Sequence, residues 1–207
     1  LAAAAALDDV ARTGATLVPP YDDLRTMAGQ GTIAVEILEH LEVEPDLVIV
    51  PVGGGGCIAG ITTYLAERTT NTAVLGIEPA GAAAMMAALA AGEPVTLDHV
   101  DQFVDGAAVN RAGTLTYRAL SAAGDMVSVT TVDEGAVCTA MLDLYQNEGI
   151  IAEPAGALAV AGLLETEVAP GSTVVCLISG GNNDVSRYGE VLERSLVHLG
   201  LKHYFLV

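Results

Sequence analysis

From Leu47 to Ala66 the chain carries 20 residues without a charge, and the middle of that run reads Pro51-Val52-Gly53-Gly54-Gly55-Gly56-Cys57. An uncharged stretch of this length raises the question of a membrane span. A proline and four glycines at its centre would break a spanning helix. The same residues read without conflict as an apolar strand, Leu47 to Pro51, then a glycine loop, then a helix continuing through Ile61 and Leu65. Each glycine costs backbone entropy on folding, so four in a row mark unusual dihedrals or a ligand held against bare main chain. Between a strand and a helix, the loop N–H groups and the positive end of the helix dipole face the same way. That arrangement cradles phosphate.

The charge balance sharpens the point. There are 26 acidic residues against 8 basic ones, a net charge of −18, and the single lysine is Lys202. This balance argues against a nucleic-acid binder, because that affinity rests on cationic neutralisation of phosphates. A phosphate bound at residues 53–57 must be held by main-chain donors. Hydrophobic residues make up 52% of the chain and aromatics 4%, which supports one core built from aliphatics and alanine. Cys57, Cys138 and Cys176 are scattered through apolar stretches, as reduced buried thiols of a cytoplasmic protein would be. No Cys or His pairing suggests a metal, and none is expected. The opening Leu1 to Leu7 lacks a basic flank and runs into Asp8-Asp9, so it does not read as a signal peptide.

Along the chain, helical and strand-like segments alternate. Helices are expected at about 2–12, 31–41, 57–68, 81–91, 115–123, 135–145, 155–164 and 188–199. Strands are expected at 15–18, 47–51, 73–77, 126–129 and 173–178. Near-continuous apolar strands between helices predict an α/β fold, a three-layer arrangement of a parallel sheet covered by helices on both faces. Ligands in such folds bind beyond the carboxyl ends of the strands. Two loops lie at such ends: 52–57, and Ser179-Gly180-Gly181-Asn182-Asn183-Asp184.

Taken singly, these motifs leave alternatives open. Gly54-x-Gly56-x-x-Ala59 satisfies a dinucleotide fingerprint, with Glu78 ending the next strand about 20 residues on. Ser179 could equally be a helix N-cap, Gly106 a turn glycine, and Glu153 a carboxylate serving the dipole of the helix begun by Pro154. Asp22-Asp23 and Asp133-Glu134 read as solvated charge near helix starts. His40, His99, His198 and His203 are isolated from any acid or nucleophile partner.

Read together and in order, the loops narrow the choice. The series is Pro19-Pro20-Tyr21-Asp22-Asp23 with Ala28-Gly29-Gln30-Gly31-Thr32, then Val50 to Gly56, Gly76-Ile77-Glu78-Pro79, Asp105-Gly106-Ala107-Ala108-Val109, Ala152-Glu153-Pro154-Ala155-Gly156-Ala157 and Ser179-Gly180-Gly181-Asn182. It resembles the biosynthetic threonine ammonia-lyases (threonine dehydratases) of the fold-type II pyridoxal-phosphate enzymes, over essentially the whole chain. The resemblance implies the large cofactor domain of the tryptophan synthase β-like fold over 1–195. It also implies that 196–207 starts a linker to an ACT-like regulatory domain. It assigns the phosphate of pyridoxal 5'-phosphate to Gly53, Gly54, Gly55, Gly56 and Cys57, a backbone position beside the cofactor ring to Gly106, and the pyridine nitrogen to Ser179; it also matches Glu153 to an acidic position near the site, where the helix-dipole role is preferred.

It further implies deamination of L-threonine to 2-oxobutanoate and ammonia in isoleucine biosynthesis, by a homo-oligomer, with serine dehydratases or racemases as the nearest alternative. Such an enzyme needs a lysine to carry the cofactor. Lys202 matches no such position, so the resemblance leaves the catalytic lysine outside these residues and implies that they are inactive alone.

Overall fold

The computed structural model describes residues 2–205, so the expectations for Leu1 and for 206–207 lie outside the described residues. At its centre is a wholly parallel four-stranded sheet: β1 (Leu47–Pro51), β2 (Ala73–Pro79), β3 (Val127–Val132) and β4 (Val174–Cys176), in the order β3-β2-β1-β4. The central strand β1, Leu-Val-Ile-Val-Pro, has its last four residues buried, as expected for a strand covered on both faces. Alternate side chains feed two cores. Val48, Val50 and Val74 join one with Ile58, Ile61 and Leu65, whereas Ile49 and Ile77 join the other with Met141 and Leu158. Each such side chain contributes roughly 1.5–3 kcal/mol when fully buried.

Eight helices are described: α1 (Ala2–Thr13), α2 (Leu24–His40), α3 (Gly56–Arg68), α4 (Ala84–Ala91), α5 (Thr114–Ala123), α6 (Glu134–Glu148), α7 (Pro154–Leu164) and α8 (Tyr188–His198). The first core contains residues of α2, α3, α4 and α5, and the second residues of α6, α7 and α8. The α2–α3 crossing is close because glycines face each other there. A Cβ on Gly60 would stand 2.2 Å from the Met27 carbonyl oxygen.

The aspartates that read as solvated charge are caps instead. Asp23 caps α2 through the Arg25 amide, 2.8 Å away, and Asp133 caps α6 through that of Gly135, at 2.7 Å. Asp22 takes the amides of Thr114 and Leu115 at 3.0 and 2.7 Å, fixing the start of α5. Glu134 accepts the Gly81 amide at 2.7 Å and so ties α6 to the end of β2.

Two expectations fail. Residues 15–18 form no strand: they are exposed and lead into Pro19-Pro20 without a partner. Helix α2 begins at Leu24 rather than Gly31, because Asp23 supplies a cap and the glycines inside the segment are tolerated by packing.

The chain runs outward from β1 to β2 and β3, then returns to place β4 on the other side of β1. Strand order therefore reverses between β1 and β4. This is the topological switch point at which open α/β sheets bind ligands.

Glu78, near the end of β2, is fully buried; its two carboxylate oxygens accept the amides of Met85 and Met86 at 2.7 and 2.8 Å in the first turn of α4. Burial pushes its pKa up to about 7 from 4.5, against the opposing effect of those N–H donors. Between these two values the folded chain keeps a proton that the unfolded chain has released. Stability on this account falls as pH rises through that window, by on the order of 3 kcal/mol. Urea unfolding midpoints measured from about pH 5 to about pH 7.5 should therefore fall in the wild type. In Glu78→Gln that part of the slope should vanish, leaving a constant offset from the lost acceptor.

Candidate active site

The glycine loop leaves the carboxyl end of β1, and the segment 177–184 leaves that of β4. They meet across a cleft of about 400 Å³ whose walls include Gly53 to Cys57, Gly106 and Ser179. Residues from three well-separated parts of the chain thus share one surface. A larger hollow of about 610 Å³ lies over the α2–α3 crossing, beside Met27, Val35 and Tyr64, away from both loops. The cleft at the switch point is the better candidate because free polar groups converge there.

None of the amides of Gly53, Gly54, Gly55, Gly56 and Cys57 donates to an acceptor among the described residues. The first helical pairing is Ala59 N–H to the Gly55 carbonyl, at 3.0 Å. Helix α3 has no side-chain cap, since its N-cap is Gly55 with φ +91°. Unpaired donors at a helix start call for an anion. The charged side chain in the cleft wall is Glu153, and no lysine or arginine lines it.

Close neighbours of the loop explain the glycines. A Cβ on Gly55 would fall 2.3 Å from Cε of Met85, and one on Gly54 would strike the Tyr21 ring, also at 2.3 Å. On Gly53 it would meet the main chain of Ala107 at 3.0 Å. The Gly54 carbonyl is held by the Thr116 hydroxyl at 2.7 Å and the Gly113 amide at 3.1 Å. Met85, Thr116 and Gly113 therefore pack the loop from outside the cleft, Tyr21 and Ala107 pack it from the cleft wall, and the amides stay unpaired. The loop fits a phosphate group, because its own structure leaves donors and no positive side chain to meet one.

Cys57 lines the cleft, with burial holding its thiol up at about 11, so at neutral pH it is protonated and no nucleophile. Gly106 is not a turn glycine of positive φ. It is required by close approach, since a Cβ there would lie 2.9 Å from that of Ala155 and 3.3 Å from Oε1 of Glu153. Its loop is anchored by Arg187, which donates to the Phe103 carbonyl at 2.6 Å and pairs with Asp105 at 3.3 Å.

Ser179 is exposed and caps no helix; the short turn before α8 is capped by Asp184 instead. Its hydroxyl has no hydrogen-bond partner among the described residues. Glu153 does not serve its own helix either: it makes no side-chain cap bond on α7 and faces the cleft. Sequence reasoning missed Tyr21 and Gln30 as wall residues and underrated Glu153. The signal for Tyr21 was its place in the Pro-Pro-Tyr-Asp-Asp loop, whose two aspartates cap two helices.

Glu78 also bears on the dinucleotide alternative. That reading needs an exposed carboxylate at the end of β2 for a ribose hydroxyl, whereas Glu78 is turned inward onto α4. Among the described residues no group of three or more His, Cys, Asp or Glu could hold a metal ion, and no helix is long and apolar enough to cross a membrane.

Comparison with known proteins agrees with this geometry. The family model described as pyridoxal-phosphate dependent enzyme matches residues 1–180. The chain is 91% identical over 207 residues to the L-threonine dehydratase biosynthetic IlvA of Mycobacterium tuberculosis, covering all of this chain and 48% of that protein. It is 49% identical over 193 residues to the Bacillus subtilis protein of the same name, covering 93% of this chain and 45% of the relative. The chain thus spans about half the length of the curated relatives it matches. Among solved structures, the processed threonine deaminase isoform 2 of Solanum lycopersicum superposes with a TM-score of 0.83 at 34% identity, covering 91% of this chain and 55% of that one. The serine racemase of Dictyostelium discoideum gives 0.77 at 30%, covering 88% and 58%. With its switch-point cleft, its anion-ready glycine loop and the family match over most of its length, this chain belongs to the pyridoxal-phosphate dependent enzymes.

Proposed function

We propose that these residues form the cofactor-holding part of a threonine ammonia-lyase, which converts L-threonine to 2-oxobutanoate and ammonia. The observation that carries the reading is the set of five unpartnered amides at the start of α3, in a chain 91% identical to curated threonine dehydratases. Within that frame, 1–195 is the cofactor domain and 196–207 begins a linker.

Pyridoxal phosphate supplies an electron sink that acidifies the Cα–H of an attached amino acid and so permits loss of a β-hydroxyl. The protein's part is holding and orienting. The amides of Gly53 to Cys57 and the dipole of α3 would hold the phosphate with fixed donors. Gly106 provides a flat wall where any side chain would intrude. Ser179 offers a hydroxyl at the pyridine nitrogen. A hydroxyl can bond that nitrogen without keeping it protonated, which a carboxylate would do. With the nitrogen unprotonated the sink would be weaker, which suits elimination over transamination.

Lys202 takes no part. Its ammonium is 3.1 Å from Glu193, beside α8, and it does not line the cleft.

Two results test the reading. Gly55→Val should weaken cofactor affinity at least roughly tenfold, since a β-branched residue resists positive φ and would collide with Met85. Fluorescence titration with pyridoxal phosphate, with circular dichroism to check the fold, measures this, and unchanged affinity would refute the cradle. The full-length enzyme should form 2-oxobutanoate from L-threonine faster than pyruvate from L-serine, with the 207 residues alone inactive. Preference for serine would favour the serine dehydratase alternative, and turnover by the 207 residues alone would contradict the role denied to Lys202.

A further inference from the structure

Glu153 grips the segment that follows Ser179 from two directions. Its main-chain N–H donates to the Gly180 carbonyl at 3.0 Å, and its Oε2 accepts the Asn182 amide at 3.1 Å. Between those bonds the carboxylate lies against Gly180, where a Cβ would be 2.5 Å from Oε1 and 2.7 Å from Cδ. On the other side Gly180 is pressed onto α7, so that a Cβ on Gly156 would fall 2.2 Å from its carbonyl oxygen. Among the described residues Ser179 has no side-chain bond of its own to fix its direction. What sets its hydroxyl is the course of the main chain through Gly180 to Asn182, and the side chain that holds this course is Glu153. Its Oε1 receives no hydrogen bond among the described residues and lies by Gly106 on the cleft wall.

We propose that Glu153 is a positioning residue for Ser179: its carboxylate fixes the 179–182 loop so that the serine hydroxyl faces the ring of the bound cofactor. This rests on the cofactor reading above. The role needs an acceptor at Oε2 more than it needs a charge.

Pyridoxine 5'-phosphate tests it. This compound lacks the aldehyde, so its binding to apoprotein needs no lysine and reads noncovalent contacts alone. Its affinity relative to inorganic phosphate isolates the contribution of the ring. Ser179→Ala and Glu153→Ala should each reduce that ratio roughly fivefold, the scale of one hydrogen bond. Phosphate affinity itself should change by less than about twofold, since the amides of the glycine loop are untouched. The double variant should be no worse than either single one, because both remove the same contact. Glu153→Gln, which keeps a carbonyl acceptor for Asn182, should retain most of the ratio.

Equal loss of phosphate and ring binding in Glu153→Ala would overturn the proposal in favour of a general structural role. Additive losses in the double variant, or Glu153→Gln as weak as Glu153→Ala, would overturn it in favour of direct electrostatics. A wild-type protein with no preference for pyridoxine 5'-phosphate over phosphate would sink the cofactor reading itself, and this proposal with it.

Discussion

The candidate site depends on one feature of the main chain: at residues 53–57 the amides are free while close neighbours hold the loop in place. Met85 and Tyr21 stand so near that a Cβ at Gly55 or Gly54 would overlap them, and Ala107 leaves only tight room at Gly53. The hydroxyl of Thr116 and the amide of Gly113 hold the Gly54 carbonyl away from the cleft. Free donors cost free energy unless something accepts them, so the loop is stable in this shape only because packing over-determines it. The rest of the fold supports this arrangement. Glu78 fixes the first turn of α4 and hence Met85, and Asp22 fixes the start of α5 and hence Thr116.

The acidity of the chain stops being a paradox once the holding groups are seen to be dipoles. A cleft lined by lysines would attract an anion from a distance and lose that attraction with salt. This cleft has no cationic side chain, and its acidic member, Glu153, is engaged with the serine loop. Recognition is therefore short-ranged and geometric, and a chain of net charge −18 can carry it.

Much of this was legible in the sequence. Apolar runs without polar alternation announced a parallel sheet, and the position of the glycines after β1 pointed to a candidate loop whose amides the fold leaves unpaired. The loops at 53–57, 106 and 179 were separable from structural turns only as an ordered set, because each alone has an ordinary explanation. Three things were out of reach. The segment 15–18 has strand-forming residues, but no neighbour accepts it. Asp22 and Asp23 are adjacent carboxylates that serve two different helices, and no spacing rule links Asp22 to an amide 92 residues away. Glu153 sits where helix-dipole chemistry would put it, and its real partners are 27 and 29 residues downstream.

The loop from Pro19 to Asp23 brings the starts of three helices to one corner of the molecule. Asp23 closes α2 and Asp22 closes α5, while Tyr21 lies against the start of α3 without capping it. Two of the three positive helix ends are thus neutralised by the protein's own carboxylates, and the third is not. In that sense the phosphate proposed for this loop would complete a set, as the missing cap supplied from solution instead of from the chain. Without it, α3 is the one member of the trio whose first turn is held by packing alone, so the empty loop should keep its shape with its donors unmet.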